Sequence, residues 1–476
     1  MSNGDGKTQT LVIGAGPGGY AAAFLAADLG QEVTVVDPLD NPGGVCLHWG
    51  CIPSKALLNM VRIKDDAAKS KQWGIEFAEP KIHVDKIRSF KDKVVKQLTG
   101  GLAQLSKKRK VTYIQGYARF TDSTAVEIEK TDGGKQSLSF DNAIIAAGAR
   151  AASLPNLDLD SERLMYARQA VDMPEIPGSM LVVGGGYIGL ELGSVYAKLG
   201  SEVSVVEMLE GIMPGADRDL VSEFEKANKK LFKEIATGTK VENIVEESNG
   251  LKVTLRAADG SGEPREEHYE RVLVTIGNVP NTDGLGLENT SVETDQRGFI
   301  QVNEQRRTSA SNIYAIGDIA GAPLLAHKAN LEGRVAAEAI AGKKTAYEPA
   351  TIPAVEYTDP EIAWCGLTEN EAKEKGIEVE VASFPWAAAG RAVAMGESVG
   401  KTKLVIDPKT ERILGVGIAG RDAGDLIAEG VLAVEMASLA SDLSLTVHPH
   451  PTFSETMMEA AEVFYGHSTH IYRPKT

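Results

Sequence analysis

The sequence predicts an α/β protein with two similar βαβ units and a C-terminal α+β region. A strand, a glycine-rich turn, a helix and a second strand follow one another over residues 10–37. The same order returns, almost position for position, over residues 180–207. From about residue 351 the sequence pattern changes to short strands and a helix at 425–438. The length of 476 residues suits roughly two to four domains, so the three features fit in one chain.

The first unit reads TLVIGAGPGGYAAAFLAADLGQEVTVVD. Gly14, Gly16 and Gly19 fit G-x-G-x-x-G directly after an apolar strand. The first glycine allows the tight turn, the second lets backbone approach a pyrophosphate, and the third lets helix and strand pack closely. Asp37 ends the second strand, where a carboxylate accepts a hydrogen bond from a ribose hydroxyl. This unit is therefore predicted to bind a dinucleotide rather than to be a bare packing turn.

The second unit reads MLVVGGGYIGLELGSVYAKLGSEVSVVE, with Gly184, Gly186 and Gly189 in the turn. Glu207 closes its second strand; a carboxylate there accepts from a free 2′-hydroxyl and repels a 2′-phosphate, so NAD is favoured over NADP. Two dinucleotide units in one chain suggest two cofactors that exchange electrons. A flavin and a nicotinamide are the natural pair for hydride transfer.

The remaining segments divide into charged helices and short strands. Exposed helices are predicted at 61–74 and 84–110 and a further helix at 327–342. Strands, or strand-and-turn segments, are predicted at 111–120, 125–130, 137–150, 240–247, 251–258, 269–277, 298–303 and 312–321.

The charge of the chain excludes some classes of partner. The formal net charge is −16, from 66 acidic and 50 basic residues, which argues against nucleic acid and against an anionic membrane surface. Residues 11–27 are uncharged but fall short of the roughly 20 residues of a membrane span. The N-terminus lacks the apolar region of a secretory signal, and three cysteines do not form a disulfide scaffold, so a cytoplasmic location is expected.

Two of the three cysteines share the segment GGVCLHWGCIPSK, residues 43–55. A zinc site needs four ligands, and Cys365 stands alone as a small apolar residue. His467 and His470 could complete such a site, but the flanking glycines and proline are not those of a zinc knuckle. A structural disulfide is disfavoured in a reducing compartment. The pair is most consistent with a redox-active dithiol.

The spacing of the pair constrains its backbone. In a regular helix, Cα atoms five residues apart lie about 8 to 9 Å from each other. A disulfide needs about 4.4 to 6.8 Å. Joining Cys46 to Cys51 therefore requires a distorted turn, which Gly50 and Pro53 are expected to provide.

The segment HPHPTFSE, residues 448–455, supplies a candidate base. A thiol must lose its proton to attack, so a base near the cysteines is needed. His450 is that candidate, and Glu455 could fix its tautomer and support its positive charge. Without the cysteine pair, His450 would be interpreted as an ordinary turn residue. His448 is interpreted as an ordinary turn residue.

The succession of these motifs resembles the flavoprotein disulfide reductases over essentially the whole chain. It includes both glycine turns, GGVCLHWGCIPSK, IIAAGAR, VTIGNVPNT, YAIGDIAGAPLLAHKANLEG and HPHPTFSE. The resemblance implies two Rossmann-like dinucleotide-binding domains (FAD and NAD) plus a C-terminal α+β dimerisation domain. The implied boundaries are 1–150 and 278–350 for the FAD-binding domain, 151–277 for the NAD-binding domain and 351–476 for the dimerisation domain.

The resemblance also implies roles for individual residues. Cys51 would lie against the flavin, Cys46 would exchange with the substrate, and His450 with Glu455 would act from the partner subunit of a homodimer. Lys55, paired with Glu191, would tune the flavin. The residues implied to bind FAD are Gly14, Gly16, Gly19, Asp37, Gly43, Gly44, Lys55, Ala118, Asp318 and Ala326. Those implied to bind NAD are Gly184, Gly186, Gly189, Glu207, Val241 and Gly277.

The implied reaction is oxidation of protein-bound dihydrolipoamide by NAD⁺, with lipoyl-bearing acyltransferase or glycine-cleavage carrier proteins as partners. The chain departs from the family pattern at His48-Trp49, Asn278 and Ala151, where Asn-Val, Arg and Pro are usual. The His48-Trp49 pair is similar to the pair found at this place in the soluble pyridine-nucleotide transhydrogenases, which lack one of the two redox cysteines. A mercuric reductase would need an extra C-terminal cysteine pair, and glutathione-type reductases prefer NADP. Another disulfide reductase, a transhydrogenase-like enzyme and a non-catalytic redox scaffold are the alternatives.

Overall fold

The computed structural model describes residues 6–154 and 159–472. Its N-terminal part forms a parallel sheet extended by an antiparallel meander. The parallel strands stand in the order β3-β2-β1-β5-β16, and β4 pairs antiparallel with the far ends of β3 and β5. The elements here are β1 Gly6–Ile13, α1 Pro17–Asp28, β2 Val33–Asp37, α2 Gly44–His48, α3 Cys51–Lys69, α4 Val84–Lys108, β3 Thr112–Asp122, β4 Ala125–Lys130, β5 Lys135–Ile145 and β6 Ala149–Ala151, with β16 Ile313–Ala315 and α8 Ala326–Ile340 joining later in the chain.

The middle part repeats this plan. A parallel sheet has the order β10-β9-β8-β14-β7, beside the antiparallel sheet β11-β12-β13. Strands β15 and β6 pair antiparallel and connect this part to the first. Its elements are β7 Leu164–Met165, α5 Ala167–Asp172, β8 Ser179–Val183, α6 Tyr187–Leu199, β9 Glu202–Val206, α7 Arg218–Ala227, β10 Glu234–Ala236, β11 Thr239–Glu247, β12 Gly250–Ala257, β13 Arg265–Tyr269, β14 Arg271–Val274 and β15 Asn278–Pro280.

The C-terminal part is an antiparallel sheet in the order β17-β18-β21-β20-β19, covered by helices. Its elements are β17 Ala354–Glu356, β18 Glu361–Gly366, α9 Glu369–Lys375, β19 Glu380–Pro385, α10 Gly390–Met395, β20 Lys401–Ile406, β21 Ile413–Gly420, α11 Ala423–Glu435, α12 Ala440–Leu445 and α13 Glu455–Phe464. The predicted α/β class with two dinucleotide-type units and an α+β C-terminal domain is therefore confirmed.

The segment 298–303 differs from its predicted pattern. Instead of a strand it contributes an isolated bridge between Ile300 and Thr294. The apolar alternation is present, but the segment forms a turn in which Phe299 donates its N–H to the Asp295 carboxylate, and this removes it from a longer ladder.

A buried lysine joins the C-terminal sheet to the middle part. The side chain of Lys403 on β20 is 1% exposed, and its Nζ lies 2.7 Å from Asp217 and 2.8 Å from Asp219. Glu369 at the start of α9 completes the set of acids. Removing one member of such a buried pair typically costs about 3–5 kcal/mol, so this joint fixes the two parts against each other.

Candidate functional site

The two glycine turns are built alike. Gly14 and Gly184 have φ values of +99° and +111°, in the left-handed region that favours glycine. A Cβ on Gly19 would lie 1.9 Å from the Gly14 oxygen, and one on Gly189 would lie 2.2 Å from the Gly184 oxygen. Neither position has room for a side chain. Helices α1 and α6 can therefore begin directly above their strands.

The two acidic strand ends hold these turns in the same way. Asp37 accepts hydrogen bonds from the N–H of Ala15 at 2.6 Å and of Leu39 at 2.9 Å. Glu207 accepts from the N–H of Gly185 at 2.7 Å and of Leu209 at 2.8 Å. Burial raises the pKa of Asp37, although these N–H donors favour its ionised form. Each acid thus fixes the turn above which a ribose would bind.

The turns fit the pyrophosphate groups of two dinucleotides. Gly16 and Gly186 stand at the N-terminal caps of α1 and α6, whose first-turn N–H groups favour anions. A Cβ on Gly186 would meet nothing within 4 Å, so the backbone there is open to a ligand. Gly44 packs so closely on the first turn that its Cβ would lie 2.5 Å from the Cα of Gly16. The result is a cradle of main chain with little side-chain obstruction.

The other predicted cofactor residues lie around these cradles. Gly43 caps α2, Ala118 is buried on β3, Ala326 begins α8, Val241 lies at a bulge of β11, and Gly277 precedes β15. Asp318 follows β16, and burial raises its pKa. Their contacts with a cofactor stay predictions.

One residue that the sequence did not indicate, Glu332, holds the Asp318 turn. Glu332 on α8 is fully buried and accepts the N–H of Gly317 at 2.6 Å. Lys328 and Arg306 neutralise it at 3.1 and 2.9 Å. In the sequence, the four-residue spacing of Lys328 and Glu332 on a predicted helix was the signal that these two side chains could pair.

The two cysteines stand on either side of a helix break. Helix α2 ends at His48 and α3 begins at Cys51, so the chain turns at Trp49 and Gly50. A Cβ on Gly50 would lie 3.1 Å from the Val45 oxygen, which shows how tight this turn is. Gly50 thus provides the expected distortion, whereas Pro53 lies inside the first turn of α3. Both cysteines are thiols here; Cys51 is exposed and Cys46 is half-buried.

The two thiols differ in acidity. A hydrogen bond from the Cys46 thiol lowers the pKa of Cys51 to about 7, against the opposing effect of desolvation by the surrounding protein, and the charge of Lys55 lowers it further. The position of Cys51 at the N-terminus of α3 also favours a thiolate. The same hydrogen bond, with burial, raises the pKa of Cys46. By contrast Cys365 is buried, and burial raises its pKa to about 12.

Lys55 connects the cysteines to both other parts of the molecule. Its Nζ lies 2.8 and 3.0 Å from the two carboxylate oxygens of Glu191 on α6. Glu191 also accepts the N–H of Tyr357 at 3.0 Å, and the Lys55 ammonium lies 4.5 Å from the centroid of the Tyr357 ring. The pairing of Lys55 with Glu191 that the resemblance implies is therefore present in the structure.

The unusual His48-Trp49 pair has its own contacts. His48 Nε2 lies 3.2 Å from the Asn41 carbonyl oxygen, and the two aromatic rings lie 5.5 Å apart. The guanidinium of Arg168, on α5 of the middle part, lies over the Trp49 ring. The turn between the cysteines is thus held by both dinucleotide-type parts of the chain.

The predicted acid–base pair forms locally. His450 Nδ1 lies 2.8 Å from Glu455 Oε1, and the Thr452 N–H donates to Glu455 Oε2 at 2.7 Å. Desolvation raises the pKa of Glu455, but the hydrogen bonds from Thr452 and His450 lower it overall. The His450 side chain is 73% exposed. Within 6–154 and 159–472 no hydrogen bond or ion pair joins this dyad to either cysteine.

The other C-terminal histidines are engaged elsewhere. His448 pairs with Glu429 at 2.8 Å, and His470 pairs with Glu459. His448 is thus held by a different acid from the one that holds His450.

Comparison with known proteins identifies the type of chain. Residues 8–333 match the model of the pyridine nucleotide-disulphide oxidoreductases, and residues 352–461 match the dimerisation domain of that family, which indicates a homodimer. No helix in the described part of the chain has both the length and the apolar character to cross a membrane.

Several similar curated relatives are named dihydrolipoyl dehydrogenase. The chain is 46% identical to the dihydrolipoyl dehydrogenase of Vibrio cholerae over 98% of both chains. It is 47% identical to that of Haemophilus influenzae over 98% of this chain and 97% of the relative, and 45% identical to that of Geobacillus stearothermophilus over 98% of both.

Solved structures agree with the fold. LpdA from Mycobacterium tuberculosis superposes with a TM-score of 0.88 at 27% identity, covering 95% of this chain and 99% of that one. The flavoprotein disulfide reductase RclA from Escherichia coli superposes at 0.84 with 24% identity, covering 96% of this chain and 99% of RclA, and supports the fold alone.

Proposed function

Because the chain belongs to the pyridine nucleotide-disulphide oxidoreductases, we propose that it oxidises protein-bound dihydrolipoamide to lipoamide and reduces NAD⁺. The substrate is inferred from relatives named dihydrolipoyl dehydrogenase that match 98% of the chain. The two glycine cradles fit the family's cofactors, FAD and NAD. FAD, when bound, supplies the electron transfer: it takes an electron pair from the dithiol and gives it to NAD⁺ as a hydride.

The observation that carries the proposal is the asymmetry of the two thiols. In the oxidised protein, a substrate thiolate attacks the Cys46 sulfur and the Cys46–Cys51 bond breaks. Cys51 leaves as a thiolate, which its pKa of about 7 favours. The second substrate thiolate then attacks the substrate sulfur of the mixed disulfide, releasing lipoamide and Cys46. The substrate is oxidised by two electrons and the cysteine pair is reduced by two.

This exchange requires a base, because dihydrolipoamide must lose two protons, of which one is returned to Cys46 when that sulfur is released and becomes a thiol. We assign that role to His450, with Glu455 holding its Nδ1–H. The dyad makes no polar contact with the cysteines of its own chain in the described residues, so we assign it to the cysteines of the partner subunit. Leu445 and Val447, 81% and 94% exposed beside His450, are apolar side chains that such a partner would cover.

The substrate would arrive on another protein. Lipoyl-bearing acyltransferase subunits of 2-oxoacid dehydrogenase complexes, or a glycine-cleavage carrier, would present the dihydrolipoamide. The net charge of −16 suits docking to a basic surface of such a partner.

A turnover assay tests the proposal. Purified holoenzyme is given dihydrolipoamide and NAD⁺, and NADH is followed by absorbance. We expect NADH formation with NAD⁺ and little with NADP⁺, because Glu207 repels a 2′-phosphate. Absence of NADH despite bound FAD refutes the proposal. Hydride transfer from NADPH to NAD⁺ without dithiol oxidation would instead support the transhydrogenase alternative.

A further inference from the structure

An aromatic ring from the C-terminal part of the chain lies against the lysine of α3, the helix that begins at Cys51. Tyr357 follows strand β17, and the centroid of its ring lies 4.5 Å from the Lys55 ammonium. The same residue donates its backbone N–H to Glu191 at 3.0 Å, while the Lys55 ammonium lies 2.8 Å from Glu191. Tyr357 therefore contacts both members of the ion pair, one through its ring and the other through its main chain.

The first turn of α11 packs against this ring. Gly424 leaves the space that the ring needs, because a Cβ there would lie 3.3 Å from Tyr357 Cε1 and 2.9 Å from Val355 Cγ1. The phenol keeps its proton, since desolvation by the surrounding protein raises the pKa of Tyr357 and the charge of Glu361 raises it further. Lys55 thus lies over the face of a neutral aromatic ring.

Lys55 is also a neighbour of the reactive thiol. Cys51 and Lys55 stand four residues apart on α3, so their side chains lie on one face of the helix, one turn apart. The hydrogen bond from Cys46 is the main cause that lowers the pKa of Cys51. The Lys55 charge lowers that pKa further, and the Glu191 charge raises it. The place of the ammonium between carboxylate and thiol therefore affects how readily Cys51 ionises.

The ion pair alone does not fix that place. A lysine ammonium is a compact charge on a flexible stem, and it can approach a carboxylate from many directions. The Lys55 side chain is 29% exposed, whereas the Glu191 side chain is 3% exposed, so the lysine is the member with freedom to move. An aromatic ring attracts a cation that lies over its face within about 6 Å of the centroid. The Tyr357 ring therefore restricts the positions that Lys55 can take.

We propose that Tyr357 is a positioning residue, which holds the Lys55 ammonium where it stabilises the Cys51 thiolate. The C-terminal part of the chain thereby acts on a cysteine of the N-terminal part, and it does so through Lys55. This role of Tyr357 rests on the proposed role of Cys51 as the leaving thiolate.

The test is the alkylation of Cys51 in holoenzyme that has been reduced with dithiothreitol and freed of excess reductant. The rate with iodoacetamide is measured against pH, and the label is located on Cys51 by fragment mass spectrometry. In Tyr357→Leu we expect a rate about two- to threefold lower at pH 7, because the ammonium is less confined. Well above the pKa of the thiol the rates should converge, because the variant changes ionisation and not access.

Two further variants identify the part of Tyr357 that acts. Tyr357→Phe keeps the ring face and should retain the native titration. Tyr357→Met has no ring and should reproduce the shift if the leucine variant folds poorly. Tyr347→Leu is the matched control, since it removes a ring that lies 4.5 Å from the guanidinium of Arg306, whose acidic partner is Glu332. It should leave the Cys51 titration unchanged.

A double variant tests whether the effect passes through Lys55. Adding Tyr357→Leu to Lys55→Met should slow the alkylation of Cys51 no further, because the cation that the ring positions is already absent. A further slowing in the double variant overturns the proposal, and so does an equal loss in Tyr357→Phe and Tyr357→Leu. Identical titrations in the native protein, Tyr357→Leu and Tyr357→Met overturn it as well.

The alkylation readout needs no lipoyl substrate. A failed turnover assay together with a shifted titration in Tyr357→Leu would refute the proposed function and leave the role of Tyr357 standing. An unshifted titration in a protein that oxidises dihydrolipoamide would refute the role of Tyr357 alone.

Discussion

The guanidinium carbon of Arg168 lies 4.1 Å from the centroid of the Trp49 ring, directly over the turn between the two cysteines. Arg168 makes no ion pair with a carboxylate of the described residues, so the indole is its main partner. Trp49 is the residue at which α2 stops and the chain turns towards Cys51. The stack therefore attaches the redox turn to α5 of the middle part.

Loss of this stack should change the potential of the cysteine pair. An exposed cation–π contact is worth about 0.5–1 kcal/mol. If the Arg168–Trp49 contact is stronger in one redox state of the turn than in the other, its loss in Arg168→Ala shifts the midpoint potential of the Cys46–Cys51 couple by up to about 20 mV. Trp49→Val should give the same shift, and the double variant no more, because both remove one contact.

Redox titration against a thiol buffer makes the measurement. Arg168→Lys keeps the cation and should shift the potential less. Arg163→Ala is the control, since Arg163 lies nearby in sequence but is 3.6 Å from Glu246. Unchanged potentials in Arg168→Ala and Trp49→Val would restrict the stack to a packing role.

Removal of the Lys55 charge should raise the pKa of Cys51 by roughly one unit. At pH 7 the thiolate fraction of Lys55→Met then falls several-fold, and alkylation of Cys51 slows accordingly. The variant should also lose stability, by about 3–5 kcal/mol, because Glu191 is left as a buried charge. The double variant Lys55→Met/Glu191→Gln should recover most of the stability in urea denaturation and part of the acidity of Cys51, because the Glu191 charge raises the pKa of Cys51. Equal alkylation profiles would exclude Lys55 as the source of that acidity.

The two halves of the reaction should separate in Cys46→Ser. This variant lacks the sulfur that the substrate attacks, so dihydrolipoamide oxidation should fall by at least about a hundredfold. Reduction of an artificial dye by NADH should persist, because it does not use the exchange thiol. Cys365→Ser is the control, since this buried cysteine lies outside the pair. Equal loss of both activities would show that the assigned roles are wrong.

Glu356, a buried carboxyl at the end of β17, makes folding stability depend on pH. Its pKa in the folded chain, about 8, lies above the usual value of a free glutamate, so the folded state holds more protons between these two pH values. Folding stability should therefore fall as pH rises from about 4.5 to 8, and Glu356→Gln should remove part of this slope. Urea denaturation at several pH values measures it. Parallel slopes in the native protein and the variant would show that the carboxyl is ionised or relaxed in the fold.

What could be predicted from the sequence was local in the chain. The glycine turns, the acidic strand ends and the His450–Glu455 pair each lie within one short segment, and hydrophobic periodicity marks the strands and helices around them. Arg168, Glu332 and Glu356 escaped prediction for a different reason. Each acts on groups that only folding brings near, and no spacing in the sequence marks Glu356 as a neighbour of Glu191.

Sharing of the active site between subunits can be decided by mixing two inactive chains. Cys46→Ser supplies an intact dyad, and His450→Gln supplies intact cysteines. Random reassortment after unfolding and refolding yields about half mixed dimers, each with one complete site, so about a quarter of the native activity should return. Because neither variant has a complete site alone, this recovery requires His450 and Cys46 from different chains. As a control, refolding a single variant by itself should recover nothing. If the mixture stays inactive although mixed dimers are present, the dyad must serve the cysteines of its own chain.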